Sequence, residues 1–254
     1  MEPSTASEEA WRGMIPTIFS LAPDEVTTRQ SPPPFHMCVP RQSFLPFVTE
    51  RVRLYFAPFA PPIGGSEPWF EHDGAPLRWQ LPTGVLFDLH EGEHDAENSP
   101  WRLTVHFQGF PTALLMSAAD GAAERVLLNA LKESCHMRCG SASPAMSLSP
   151  AEQKQLVGAL TTNDFSAFAA VEQRLRQGVT RNLGAAGQFR HVPIRVFTSP
   201  TEWRQPPTSP TLASGEPRRL RHALQQARER DAHSLTQLPH PPPPIPNSAR
   251  PALV

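Results

Sequence analysis

"WRLTVHFQ", residues 101–108, is the clearest strand in this chain of 254 residues. Trp101, Leu103, Val105 and Phe107 fall on one face, and Arg102, Thr104, His106 and Gln108 on the other. Such alternation belongs to a half-buried sheet, so the neighbouring segments must supply the other strands and a cover. Upstream, "WFEHDGAPLRW" (69–79) reads as a hairpin, with Asp73-Gly74 providing the positive φ angles of a tight turn. "MIPTIFSLA" (14–22) and "PFHMCVP" (34–40) read as two earlier strands bounded by prolines.

Between the two pairs, "SFLPFVTERVRLYF" (43–56) carries Leu45, Val48, Val52 and Tyr55 or Phe56 at helical spacing. Pro46 is tolerated there because it falls in the first turn. "TGVLFDL" (83–89) is compatible with a short helix or a strand. The order β-β-α-β-(α)-β predicts a small α+β roll of the ubiquitin-like, β-grasp kind, by analogy of pattern.

After Pro111 the period changes. Residues 120–137 predict a helix opened by Asp120, with Ala123, Val126, Leu127, Ala130, Leu131 and Ser134 on one stripe. "SPAEQKQLVGAL" (149–160) carries a start signal, with Ser149 as N-cap, Pro150 in the first turn and Glu152 closing a capping box. "NDFSAFAAVEQRLRQG" (163–178) aligns Phe165, Phe168 and Leu175 and is expected to stop at Gly178. β signals return in "HVPIRVF" (191–197), with Val192, Ile194 and Val196 inward. A helix over 216–230 follows, with Leu220, Leu224 and Ala227 on one side. The proline-rich 238–254 supplies no central strand. The expected organisation is a lead-in helix over 1–13, a ubiquitin-like domain over 14–111 and a helix-rich domain over 112–187. An incomplete second ubiquitin-like domain (188–236) and a disordered proline-rich tail (237–254) complete it.

Composition narrows the function classes. Net charge is −1, so nothing global argues for a polyanion partner, and no nucleic acid is expected. Three cysteines, Cys38, Cys135 and Cys139, form no disulfide framework, which favours a reducing cytosolic or nuclear setting. No apolar run approaches the ~20 residues that span a bilayer, so any membrane role is expected to be peripheral. Of 23 basic side chains only Lys132 and Lys154 are lysines.

These blocks resemble the autophagy protein 5 family. The similarity lies in "WRGMIPTIFSL" (11–21), "DEVT" (24–27), "PRQSFL" (40–45), "WFEHDGAPLRWQLPTGVLFDL" (69–89), "PWRLTVHFQGFP" (100–111), "LKES" (131–134) and "FRHVPIRVF" (189–197). The resemblance implies a ubiquitin-like domain, a helix-rich domain and a second ubiquitin-like domain. It also implies a non-enzymatic role: covalent acceptance of autophagy protein 12, non-covalent binding of autophagy protein 16, and work with E2-like conjugating enzymes. The resulting E3-like complex promotes lipidation of autophagy protein 8, in the cytoplasm and peripherally at the preautophagosomal membrane. No catalytic centre, cofactor or metal belongs to this picture. The second ubiquitin-like domain departs from the family pattern, which puts binding of autophagy protein 16 in doubt.

On this reading Lys132 is the acceptor, because "LKES" matches the family's acceptor neighbourhood. An isopeptide bond needs an amine with a free lone pair, which a guanidinium does not offer. An unperturbed lysine has a pKa near ~10.4, so a partner must remove the proton. At about 100° per residue Lys132 points away from the apolar stripe, with Leu128 and His136 a turn away on its own face. Lys154, in a first turn, has no motif around it.

Other signals compete. "HEGEH" (90–94) matches His-Glu-x-x-His, which would make His90 and His94 zinc ligands and Glu91 a general base. Gly92 in its middle and the acidic surroundings favour a solvated loop instead. "CHMRC" (135–139) has no second pair of ligands for structural zinc. The arginines of 216–230 are read as a solvated face, with lipid or nucleic-acid contact as the alternative. An unconjugated ubiquitin-like adaptor remains a further reading of the whole chain.

Overall fold

The computed structural model describes residues 5–62, 67–91, 100–184, 187–199 and 201–226. A short helix α1 (Thr5–Trp11) leads into β1 (Met14–Leu21), a single 3-10 turn (Pro23–Glu25) and β2 (Phe35–Pro40). Next come α2 (Leu45–Val48), α3 (Glu50–Phe56), β3 (Trp69–His72), β4 (Ala75–Pro76), α4 (Thr83–Glu91) and β5 (Trp101–His106). The sheet order is β2-β1-β5-β3-β4, with β1 parallel to β5 and the other pairs antiparallel. The first unit is thus a mixed roll with a parallel central pair, as the strand pattern predicts.

Inward positions of the central strands are closed from water: Phe19, Trp101 and Val105 are 0% exposed. The Asp73-Gly74 turn has φ of 47° and 81°, which a glycine at the second position makes cheap. The segment left open at 83–89 is helix α4. The helix expected over 43–56 divides at Thr49, where φ is −94° and ψ 2°. There the Thr49 hydroxyl donates to Leu45 O at 2.6 Å, competing with the regular ladder. The stripe survives the break, for Leu45, Val48, Val52 and Phe56 are all buried. Of the expected aromatic core of the hairpin, Phe70 and Trp79 are buried, while Trp69 is half-buried and stacks on His106 at 3.9 Å.

The helical unit comprises α5 (Ala122–Cys139), α6 (Ser143–Met146), α7 (Pro150–Thr162) and α8 (Phe165–Arg181). Ser149 and Glu152 form the full capping box of α7. Asp120 does not open α5; it sits at φ 54° and Gly121 at φ 73° is the N-cap, without a side-chain bond. Gly178 does not end α8. It is buried in the last turn of α8 against α6, where an added Cβ would lie 2.9 Å from Pro144 Cβ. The bonds that tie this unit to the first include Ser43 Oγ donating to Leu160 O at 2.9 Å and Trp11 Nε1 to Asn163 O at 3.3 Å.

Beyond residue 187 the strand expected over 191–197 shortens to β6 (Val196–Phe197), paired antiparallel with β7 (Trp203–Arg204). Pro193 has no N–H to offer a ladder, and Val192 instead bridges Thr208. Val192, Ile194 and Val196 are only half-buried. Residues 220–226 are helical, but Leu220 and Leu224 are 64% and 39% exposed while Ala223 is buried. The leucine stripe expected to face a core therefore faces out. Residues 216–219 of that expected helix are not helical, Pro217 bridging Thr211 instead, while Ala227, residues 228–230 and the proline-rich 237–254 lie outside the described residues.

Candidate functional site

Helix α5 straddles two hydrophobic clusters. Ala122, Ala123 and Leu127 join the core of the roll, while Cys135 joins the cluster formed with α6, α7 and α8. Ala130 and Ser134, expected on the buried stripe, are half-buried. At the far end the N–H of Gly140 caps His136 O at 2.7 Å, and Arg190 and His191 donate to the carbonyls of Arg138 and Met137. An 18-residue helix pinned at both ends holds its outer face in a defined orientation.

That outer face carries Arg125, Asn129, Lys132 and His136, all exposed. Leu128, expected beside Lys132, is half-buried and belongs to the flank. Lys132 Nζ lies 3.5 Å from Asn129 Oδ1, a loose contact that leaves the amine open to a partner. The adjacent carboxylate, Glu133, is engaged by Arg195 and by Gln205 Nε2 at 2.8 Å. This clasp fastens the β6–β7 hairpin to α5 and keeps Glu133 from pairing with the lysine. Lys154 is also exposed, in the first turn of α7. Exposure alone therefore does not separate the two lysines. Periodicity located the outer face of α5, but nothing in the sequence announced the clasp, which joins residues 62 and 72 positions apart.

The zinc-like motif begins on α4. Burial holds the His90 imidazole below its ordinary pKa, and the neighbouring His72 adds to that. Glu91 Oε1 lies 3.6 Å from His72 Nε2, while His94 is outside the described residues. Among the described residues no three His, Cys, Asp or Glu side chains are grouped to hold a metal ion. Cys135 is buried, which raises its thiol pKa, and Cys139 Sγ lies 3.2 Å from Cys135 O. Among the buried polar groups, Glu25 and Thr83 escaped the sequence reading. Glu25 accepts from the N–H of Phe107 and of Gln108, and Thr83 Oγ1 lies 2.6 Å from Pro40 O. Among the described residues no helix is long and apolar enough to cross a membrane.

Comparison with known proteins accords with this architecture. Two family models match: "Autophagy protein ATG5, UblA domain" over residues 10–107 and "Autophagy protein ATG5, alpha-helical bundle region" over residues 121–178. Autophagy protein 5 of Arabidopsis thaliana is 32% identical over 178 residues, covering 70% of this chain and 52% of that protein. Autophagy protein 5 of Aspergillus fumigatus is 32% identical over 215 residues, covering 76% of this chain and 64% of that protein. The chain thus spans about half the length of the plant relative. The crystal structure of Kluyveromyces marxianus Atg5 superposes with a TM-score of 0.64 at 24% identity, covering 80% of this chain and 77% of that one, a likeness of fold. With the ubiquitin-like and helical-bundle regions both matched, in the order in which the structure displays them, the chain belongs to the autophagy protein 5 family.

Proposed function

We propose that this chain is a non-enzymatic acceptor in autophagy, joined through Lys132 to the ubiquitin-like autophagy protein 12. The bond is an isopeptide: the Lys132 amine attacks the thioester held by an E2-like enzyme, thiolate leaves, and the amine's protons pass to the partner or to water. The supporting observation is the setting of Lys132, exposed at mid-helix with the neutral Asn129 amide 3.5 Å from its amine and no carboxylate partner among the described residues. The resulting conjugate, with autophagy protein 16, acts as an E3-like complex promoting lipidation of autophagy protein 8 at the preautophagosomal membrane. Divisions near residues 14, 111, 187 and 236 go with this reading. Non-covalent binding of autophagy protein 16 belongs to the same reading.

The test is conjugation in a reconstituted system, read by gel and by mass spectrometry of the branched peptide. Lys132→Arg is expected to abolish the conjugate and Lys154→Arg to leave it unchanged. A conjugate that persists in Lys132→Arg refutes the assignment. The absence of any conjugate in the unmodified chain would favour an unconjugated adaptor.

A further inference from the structure

The two hydrophobic clusters do not close against one another everywhere. Leu131 of α5 and Phe168 of α8 stand at the margin of both and remain partly buried. Between them runs a groove of about 370 Å³, lined among others by Cys135 and Leu175 and by Trp11 of α1. Trp11 is held in place there, since its ring packs on Phe168 with centroids 4.4 Å apart and its Nε1 is bonded to Asn163 O. Burial keeps the Cys135 group a neutral thiol, so it behaves as a small apolar surface.

The charges around this groove are unequal. Glu172 and Arg176 pair with each other. Arg138 also lines the groove; its guanidinium lies over the Phe189 ring at 5.9 Å and has no carboxylate partner among the described residues. A half-buried planar fork of donors without an anion is the unbalanced element. At about 30 Å³ per water-sized group, the groove takes roughly a dozen methylene-sized units. A mainly apolar lining with one surplus cation matches a hydrocarbon chain with a single negative head.

We propose that the α5–α8 groove binds a medium-chain carboxylate, with the hydrocarbon among Trp11, Leu131, Phe168 and Leu175 and the carboxylate paired to Arg138. This is independent of the acceptor role of Lys132, which projects from another face of α5.

Isothermal titration of the full chain with decanoate tests it, with butyrate as the short-chain control. Saturable one-site binding of decanoate is expected, with butyrate too weak to measure. Arg138→Gln should weaken decanoate about tenfold, the usual worth of a charge-assisted pair. Ala169→Phe, which adds bulk at a half-exposed lining position, should abolish binding. Circular dichroism establishes that each variant is folded; should Ala169→Phe fail to fold, Arg138→Gln decides alone. No saturable decanoate binding, equal affinity for butyrate, or an Arg138→Gln affinity matching the parent overturns the proposal.

Discussion

Two glycines in neighbouring helices should respond oppositely to one substitution. Gly158 lies on the exposed side of α7, and an added Cβ there meets nothing within 4 Å. Gly158→Ala should therefore stabilise the chain by about 0.5–1 kcal/mol, the helix-propensity and unfolded-state gain of alanine over glycine. Gly178 in α8 has the same gain available but a different environment. Its Cβ would approach Pro144 Cβ to 2.9 Å, and a proline ring carried on α6 backbone cannot swing aside. Overpacking of that kind costs about 1–3 kcal/mol. The net effect of Gly178→Ala is then destabilisation of up to about 2 kcal/mol. Since α6 packs against both α5 and α8, the strain falls on the brace behind the C-terminal half of α5. Urea unfolding followed by circular dichroism measures both variants, and calorimetry should show melting shifts of about 2–4 °C per kcal/mol in opposite directions. If Gly178→Ala stabilises as much as Gly158→Ala, the close approach of α6 and α8 is wrong.

Replacing Glu25 by alanine should cost about 1–3 kcal/mol in urea titration, because the buried N–H of Phe107 loses its acceptor; an unchanged midpoint contradicts that role. His90 contributes a pH dependence whose sign follows from its lowered pKa. The unfolded chain takes up a proton near pH ~6.5 while the folded chain resists it, so stability present above that pH declines as pH falls. His90→Gln should flatten this decline in melting temperatures measured between pH 7 and 5, and an unaltered slope would assign it to other groups.

Several elements were legible from neighbouring residues alone. The alternation in 101–108 and the Asp73-Gly74 turn are written within a few positions, as is the capping box at Ser149. Each depends on backbone geometry that spans one turn or one strand. Helical period likewise located the exposed side of α5, and with it Lys132. Where the reading failed, the deciding contact came from far along the chain. Gly178 looked like a helix stop until Pro144 came to lie beside it. The stripe at Leu220 and Leu224 looked buried, yet Ala223 makes the contact.

By itself the sequence determined most of the helices and strands of residues 14–181, the side most of them present inward, and that only positions 132 and 154 carry lysine. Tertiary structure alone decided that Asn129 and not Leu128 accompanies Lys132, that Glu133 is taken up by Arg195 and Gln205, and that a groove persists between α5 and α8. The physical reason is that periodicity specifies a face, whereas burial and pairing require a second surface, and the identity of that surface is set by how distant segments pack.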